Sequence, residues 1–230
     1  QHFKSIRKKC ESNLTTILEE RAKKIMEVKD NKIGDRKGWS EVIPHDQGVY
    51  IAKMGLFDDH LVIAERRKGL KKLRIHRWSD GKEHFIAIDD PASVTDIDFN
   101  AEPNTPWLRF NYNSLKTPLS IYEEHMETGE RRLLKRQEVP GDFDSTNYET
   151  ERLWANSRDG KKIPVSLVRR KGVPRDGTAP MYQYGYGSYG SSIDPDFRST
   201  IISLLDRGVV FAIAHIRGGQ ELGPGRWNSD

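Results

Sequence analysis

Two glycine-rich loops near the end of this 230-residue chain carry the side chains best suited to chemistry. The first reads Tyr184-Gly185-Tyr186-Gly187-Ser188-Tyr189-Gly190, the second His215-Ile216-Arg217-Gly218-Gly219-Gln220-Glu221. Glycines let a backbone approach a bound molecule closely, because no Cβ stands in the way. From such a loop Tyr186 can aim a phenolic O–H at a developing negative charge, the work of an oxyanion-stabilising donor. On the residues alone the plainer account is an aromatic ring packed beside a tight turn. His215 ends an apolar run, where a histidine is more often a hydrogen-bonded structural group than a base.

These loops need a frame to position them. Residues 181–184 and 209–214 read as strands, with a helix over 194–207 between them. Asp194 suits the N-cap, Pro195 the first helical position, and Phe197, Ile201, Leu204 and Leu205 recur at helical spacing before Gly208 ends the run. The stretch 209–214 has no polar alternation, so both of its faces must be covered, as at the centre of a parallel sheet. Strand, helix and strand in succession imply a parallel pair. Ligands in such sheets bind beyond the carboxyl ends of the strands, where both glycine loops lie. Upstream, 151–155 and 163–168 form a hairpin about Asp159-Gly160.

The middle of the chain repeats. Short apolar segments at 49–54, 61–64, 73–76 and 85–88 are followed by a second set at 94–99, 107–112, 119–122 and 131–134. Asp80-Gly81 and Thr128-Gly129 fall at matching turns, where glycine supplies a positive backbone angle. Four strands recurring at about 40 to 50 residues is the period of a β-propeller blade. Two blades cannot close a ring, which leaves the end of a longer propeller or a small isolated β-structure. Before them, Leu14, Ile17 and Leu18 have helical spacing, 26–29 reads as a short strand and 30–35 as a loop.

Composition excludes several classes. The 38 basic residues are interleaved with 34 acidic ones, without the clustered cations that binding to nucleic acid needs. The densest basic runs, Arg7-Lys8-Lys9 and Arg66-Arg67-Lys68, read as solvated faces or turns. Cys10 is the only cysteine, so it has no intrachain disulfide partner and no thiol neighbour for zinc, and a reducing cytosol is the simplest home. No segment has the apolar length of a membrane span. Neither metal nor other cofactor is called for.

The combination of motifs resembles the oligopeptidase B branch of the prolyl oligopeptidase family. The resemblance rests on Tyr184 to Gly190 with Ser192-Ile193-Asp194-Pro195-Asp196-Phe197, on Leu204-Leu205-Asp206-Arg207-Gly208, and on the loop from His215, in which Gln220 stands where the family has Gly. Further blocks agree: Glu41 to His45, Asp89-Asp90-Pro91, Thr128 to Arg132, and Arg158-Asp159-Gly160 with Ile163 to Leu167. The resemblance implies a cytoplasmic serine peptidase in which a seven-bladed propeller caps an α/β-hydrolase domain. Such an enzyme admits short peptides and cuts after Arg or Lys, with dibasic sites preferred. It implies propeller blades over 26–142 and the N-terminal portion of the hydrolase domain over 143–230, with 1–25 unassigned. Tyr186 matches the family's oxyanion-hole tyrosine. Asp194 and Asp196 match acids that favour a second basic residue, although both also suit a helix N-terminus without any substrate. Arg217 and Glu221 match the ends of a loop in which an ion pair shapes the site.

The Gly-x-Ser-x-Gly elbow of the hydrolase nucleophile is absent from these residues. The chain therefore reads as an internal piece of a longer parent, partnered by the rest of that parent and by short basic peptides. The alternative is a non-catalytic propeller-type binding module. On the first reading, the 230 residues alone are expected to take no label from a fluorophosphonate probe, whereas a product that includes the elbow labels; labelling of the short chain would overturn this.

Overall fold

A computed structural model of the protein describes residues 3–8, 14–19, 24–46 and 48–219. It opens with a four-stranded antiparallel sheet formed by β1 (Phe3–Lys8), β2 (Leu14–Glu19), β3 (Lys24–Lys29) and β4 (Trp39–Ile43), in that order. The helix expected around Leu14, Ile17 and Leu18 is instead strand β2, paired with β1 on one side and β3 on the other. Three apolar residues within five positions fit either period, and β-branched Thr15, Thr16 and Ile17 suit a pleated ladder.

The two anticipated repeats are present as meanders. The second sheet comprises β5 (Val49–Leu56), β6 (His60–Arg67), β7 (Leu70–Arg77) and β8 (Glu83–Phe85). The third comprises β9 (Ser93–Ile97), β10 (Trp107–Ser114), β11 (Ser120–His125) and β12 (Arg131–Arg136). Gly81 and Gly129 hold φ values of 69° and 72° at the predicted turns. The repeat is thus three sheets in the described residues rather than two.

Successive sheets stack through their side chains, as blades of a propeller do. Ile25 and Ile43 of the first sheet meet Ile51, Met54, Leu61 and Ile63 of the second. The opposite face of the second sheet sends Val62, Ala64, Leu73 and Ile75 against Ile97, Leu108 and Phe110 of the third. Glu127, in the turn after β11, pins the same pair of sheets with 2.5 Å contacts to His60 and Arg77.

The last sheet is mixed, ordered β13-β14-β16-β15. β13 (Tyr148–Asn156) and β14 (Lys162–Arg170) form the expected hairpin, and β15 (Met181–Gly185) runs parallel to β16 (Val210–Ala214). Both faces of β16 are covered. Phe211 and Ile213 pack with Tyr148, Val168 and the helix residues Ile201 and Leu205, while Val210 and Ala212 pack with Leu167, Val173 and Ala179.

The helix, α1 (Ser199–Leu205), is shorter than the 194–207 expected, and its N-cap is Arg198 rather than Asp194. The reason lies in the neighbouring sheets. Asp194 pairs with Arg66 and Lys71 of the second sheet, and the N–H of Phe197 donates to Asn113 Oδ1 of the third at 3.0 Å. Groups that would have opened the helix are committed to the sheets. Phe110 is fully buried where the second and third sheets meet. Phe110→Ala is expected to cost about 3–5 kcal/mol, read from the midpoint and slope of urea unfolding; a loss below about 1 kcal/mol would mean that the two sheets do not share one core.

Candidate functional site

The parallel pair ends at Gly185 opposite Ala214, and both glycine loops leave from there. They meet backbone to backbone: Gly190 N donates to Gly218 O at 2.9 Å, and Gly190 and Gly219 form an isolated bridge. A Cβ on Gly187 would lie 2.7 Å from Arg217 O and 2.8 Å from Ile216 O. Gly218, at φ 95°, faces Gly187 O so closely that a Cβ there would stand 2.0 Å from it. No side chain fits at either position. Tyr186 is held on this double loop 40% exposed, and its hydroxyl takes no partner among the described residues. Tyr189 beside it is 99% exposed at φ 57°, one of two non-glycine residues described in the left-handed region.

Asp194 and Asp196 lie further along the same loop in contrasting surroundings. Asp194 Oδ1 accepts from Arg66 Nη1 at 2.7 Å, and its Oδ2 lies 3.1 Å from Lys71 Nζ. Burial works against its charge, but Arg66 and Lys71 override that and hold its carboxyl below the usual range. Asp196 accepts from Asn113 Nδ2 at 3.1 Å through Oδ1. Burial, and then the negative charge of Asp194, push its carboxyl up. Arg66, read from sequence as part of a solvated run, is buried. Arg66, Lys71 and Asn113 carried no signal of this role, because their contacts span most of the repeat region and no local pattern marks them.

His215 is fully buried, with Nε2 2.9 Å from both Arg152 Nη1 and Ser166 Oγ. Burial, followed by the charge of Arg152, pulls its imidazole down to about 3. It is a neutral acceptor at neutral pH, with no access to a ligand. Arg217 is exposed and pairs with Asp159 at the turn between β13 and β14. The hydroxyl of Ser157, helped by Arg217, lowers the Asp159 carboxyl to about 2. The Arg217–Glu221 pair expected from sequence involves a residue outside those described, as does the Gln220 position. Among the described residues no three His, Cys, Asp or Glu side chains converge as a metal site would require, and no helix is long and apolar enough to cross a membrane.

Two measurements probe this arrangement. Gly187→Ala forces a methyl into two backbone carbonyls and is expected to cost about 1–3 kcal/mol in urea unfolding; an unchanged midpoint would show that the loops can part freely. His215 has a folded pKa below its ordinary 6.5. Its contribution to stability is therefore complete above that value and drains as pH falls toward about 3. Stability should fall over that window by up to about 1.4 kcal/mol per pH unit, and His215→Asn should flatten the slope. An equally steep slope in the variant would sink this assignment.

The likeness to known proteins is extensive. Residues 10–137 match the family described as prolyl oligopeptidase, N-terminal beta-propeller domain. Dipeptidyl aminopeptidase BI of Pseudoxanthomonas mexicana is 52% identical over 82% of this chain and 26% of its own length. Protease 2 of Moraxella lacunata is 34% identical over 86% of this chain and 28% of its own length. The chain thus spans about a quarter of these curated relatives. Oligopeptidase B from Leishmania major superposes with a TM-score of 0.83 and 30% identity, covering 99% of this chain and 33% of that one. By its matched propeller domain and by these relatives, the chain belongs to the prolyl oligopeptidase family of peptidases.

Proposed function

We propose that this chain is the propeller-to-hydrolase junction of a serine oligopeptidase that cleaves short peptides after Arg or Lys. On this reading residues 26–142 are propeller blades and 143–230 open an α/β-hydrolase domain, whose nucleophile and its triad partners come from elsewhere in the parent. The chain alone is inactive, and the parent works in the cytoplasm, where the lone Cys10 stays reduced. The observation that carries the reading is the extent of the structural likeness. The match to oligopeptidase B covers 99% of the chain, well past residue 137 where the propeller-domain match ends.

In the proposed reaction, attack on the scissile carbonyl puts negative charge on its oxygen, and Tyr186 donates its free O–H to that oxyanion. Such a donor contributes only where charge develops, so its loss lowers kcat more than it raises KM. Asp196 receives a basic side chain next to the cleavage site, through the carboxylate oxygen that Asn113 leaves open. Asp194 would have to give up Arg66 and Lys71 to do the same, which makes it the weaker of the two substrate contacts. Arg217 and Glu221 are assigned a supporting role at the site, without direct contact to substrate.

A second reading has one observation in its favour: the relative named dipeptidyl aminopeptidase BI shares 52% identity. A free peptide α-amine is also a cation that Asp196 can accept, and N-acylation would then abolish cleavage. The full-length gene product should be assayed on N-acylated single-Arg and Arg-Arg amides and on unblocked dipeptide amides. Tyr186→Phe is expected to lower kcat by about 10²–10³-fold. Asp196→Ala is expected to lower kcat/KM roughly tenfold more on Arg-Arg than on single-Arg substrates. Equal losses on both would end the specificity role, and no cleavage after Arg or Lys would end the reading of the parent as an Arg/Lys-directed oligopeptidase.

A further inference from the structure

A cleft away from the glycine loops lies between the β6–β7 turn and β13. It measures about 390 Å³ and has Leu70, Phe85 and Trp154 as its apolar walls. Its polar lining is Arg67, Lys68, Lys72 and Arg152, with no carboxylate among the lining residues. Phe85 and Trp154 are 41% and 43% exposed, an unusual state for two large aromatics facing one cleft. Arg67 stacks over the Phe85 ring and is charge-paired with Glu65 and Asp46. Lys68 and Lys72 meet no carboxylate among the described residues, so the cleft keeps two uncompensated cations beside its aromatic walls.

The backbone adds a second observation. Lys68 and Gly69 form the two-residue turn between Arg67 and Leu70, and Lys68 sits at φ 48°. Asn, Asp or Gly is the usual choice at such a position, and a long side chain there is strained. The turn is fixed at both carbonyls: Arg152 Nη2 donates to Lys68 O at 2.9 Å and Arg66 Nη1 to Gly69 O at 3.0 Å. The backbone of this lysine is therefore pinned, at a conformational cost, where its side chain lines the cleft.

We propose that this cleft binds an acidic peptide segment, an aromatic or long aliphatic side chain entering between Phe85 and Trp154 while flanking carboxylates pair with Lys68 and Lys72. Charge complementarity selects the partner. Two free cations beside an aromatic slot suit alternating acidic and apolar residues, and they repel the basic peptides proposed as substrates. This inference stands apart from the peptidase reading, and its test is made on the full-length gene product.

Isothermal calorimetry with acetyl-Glu-Phe-Glu-Phe-amide should show binding that weakens as salt rises. The matched neutral peptide acetyl-Gln-Phe-Gln-Phe-amide should bind at least roughly tenfold more weakly. Lys68→Glu with Lys72→Glu, both at exposed positions, should weaken the acidic peptide roughly tenfold, with the circular dichroism spectrum unchanged. Lys68→Gly should hold or raise the thermal midpoint by relieving the turn, yet lose affinity severalfold. Trp154→Ala should also lose affinity. The proposal is overturned by equal binding of the neutral peptide, by undiminished binding in the double variant or in Lys68→Gly, by absence of any binding, or by displacement with inorganic phosphate alone, which would reduce the cleft to simple anion attraction.

Discussion

The carboxylate of Asp194 is where the stacked sheets and the mixed sheet are held in register with one another. One oxygen faces Arg66 and the other Lys71, so both are spent on the second sheet. A buried pair of this kind is weak evidence for net stability, because desolvation offsets much of the Coulombic gain. Its leverage lies in the cost of breaking it, since the remaining charge would then be buried without a partner. Together with the two bonds from Asn113 to Asp196 and Phe197, this commitment accounts for the path of the loop from Gly190 to Arg198 and the late start of α1.

Within each sheet the strands are joined by backbone ladders, whereas the sheets touch one another mainly through side chains, with a backbone bond from Asp58 N to Pro103 O between the second and third. The two interfaces among the first three sheets are dominated by aliphatic packing, which is not directional. Orientation therefore depends on a few polar pins. Glu127 reaches from the third sheet to His60 and Arg77 of the second, and Thr150 Oγ1 of β13 donates to Asp90 Oδ1 at 2.7 Å. Together with Asp194 these contacts turn a stack of greasy layers into one defined arrangement.

Much of this was legible in the sequence where local chemistry decides structure. The second and third sheets, their glycine turns, the hairpin about Asp159-Gly160 and the parallel pair all emerge from short-range pattern. Of the first sheet only the strand at 26–29 and the loop after it were legible; the sheet as a whole was not, because its third and fourth strands are joined by a longer connection with two 3₁₀ turns instead of a tight glycine turn. Its fourth strand, Trp39–Ile43, also has little apolar alternation. At the site, Tyr186, Asp194, Asp196 and Arg217 could be singled out by motif, but their surroundings could not. The buried Arg66 looks identical in sequence to the more exposed Arg67 next to it, and only the pleat of β6 sends one toward Asp194 and the other toward Phe85.

The close approach of Gly187 and Gly218 also constrains how this chain can change over generations. A clash between two side chains can be repaired by trimming the partner, so substitutions at such a contact drift in compensating pairs. Here the colliding atoms are main-chain carbonyls, and there is nothing on the other side to trim. A suppressor of a substitution at either glycine would have to reshape a loop, and the two loops must therefore be inherited as a unit.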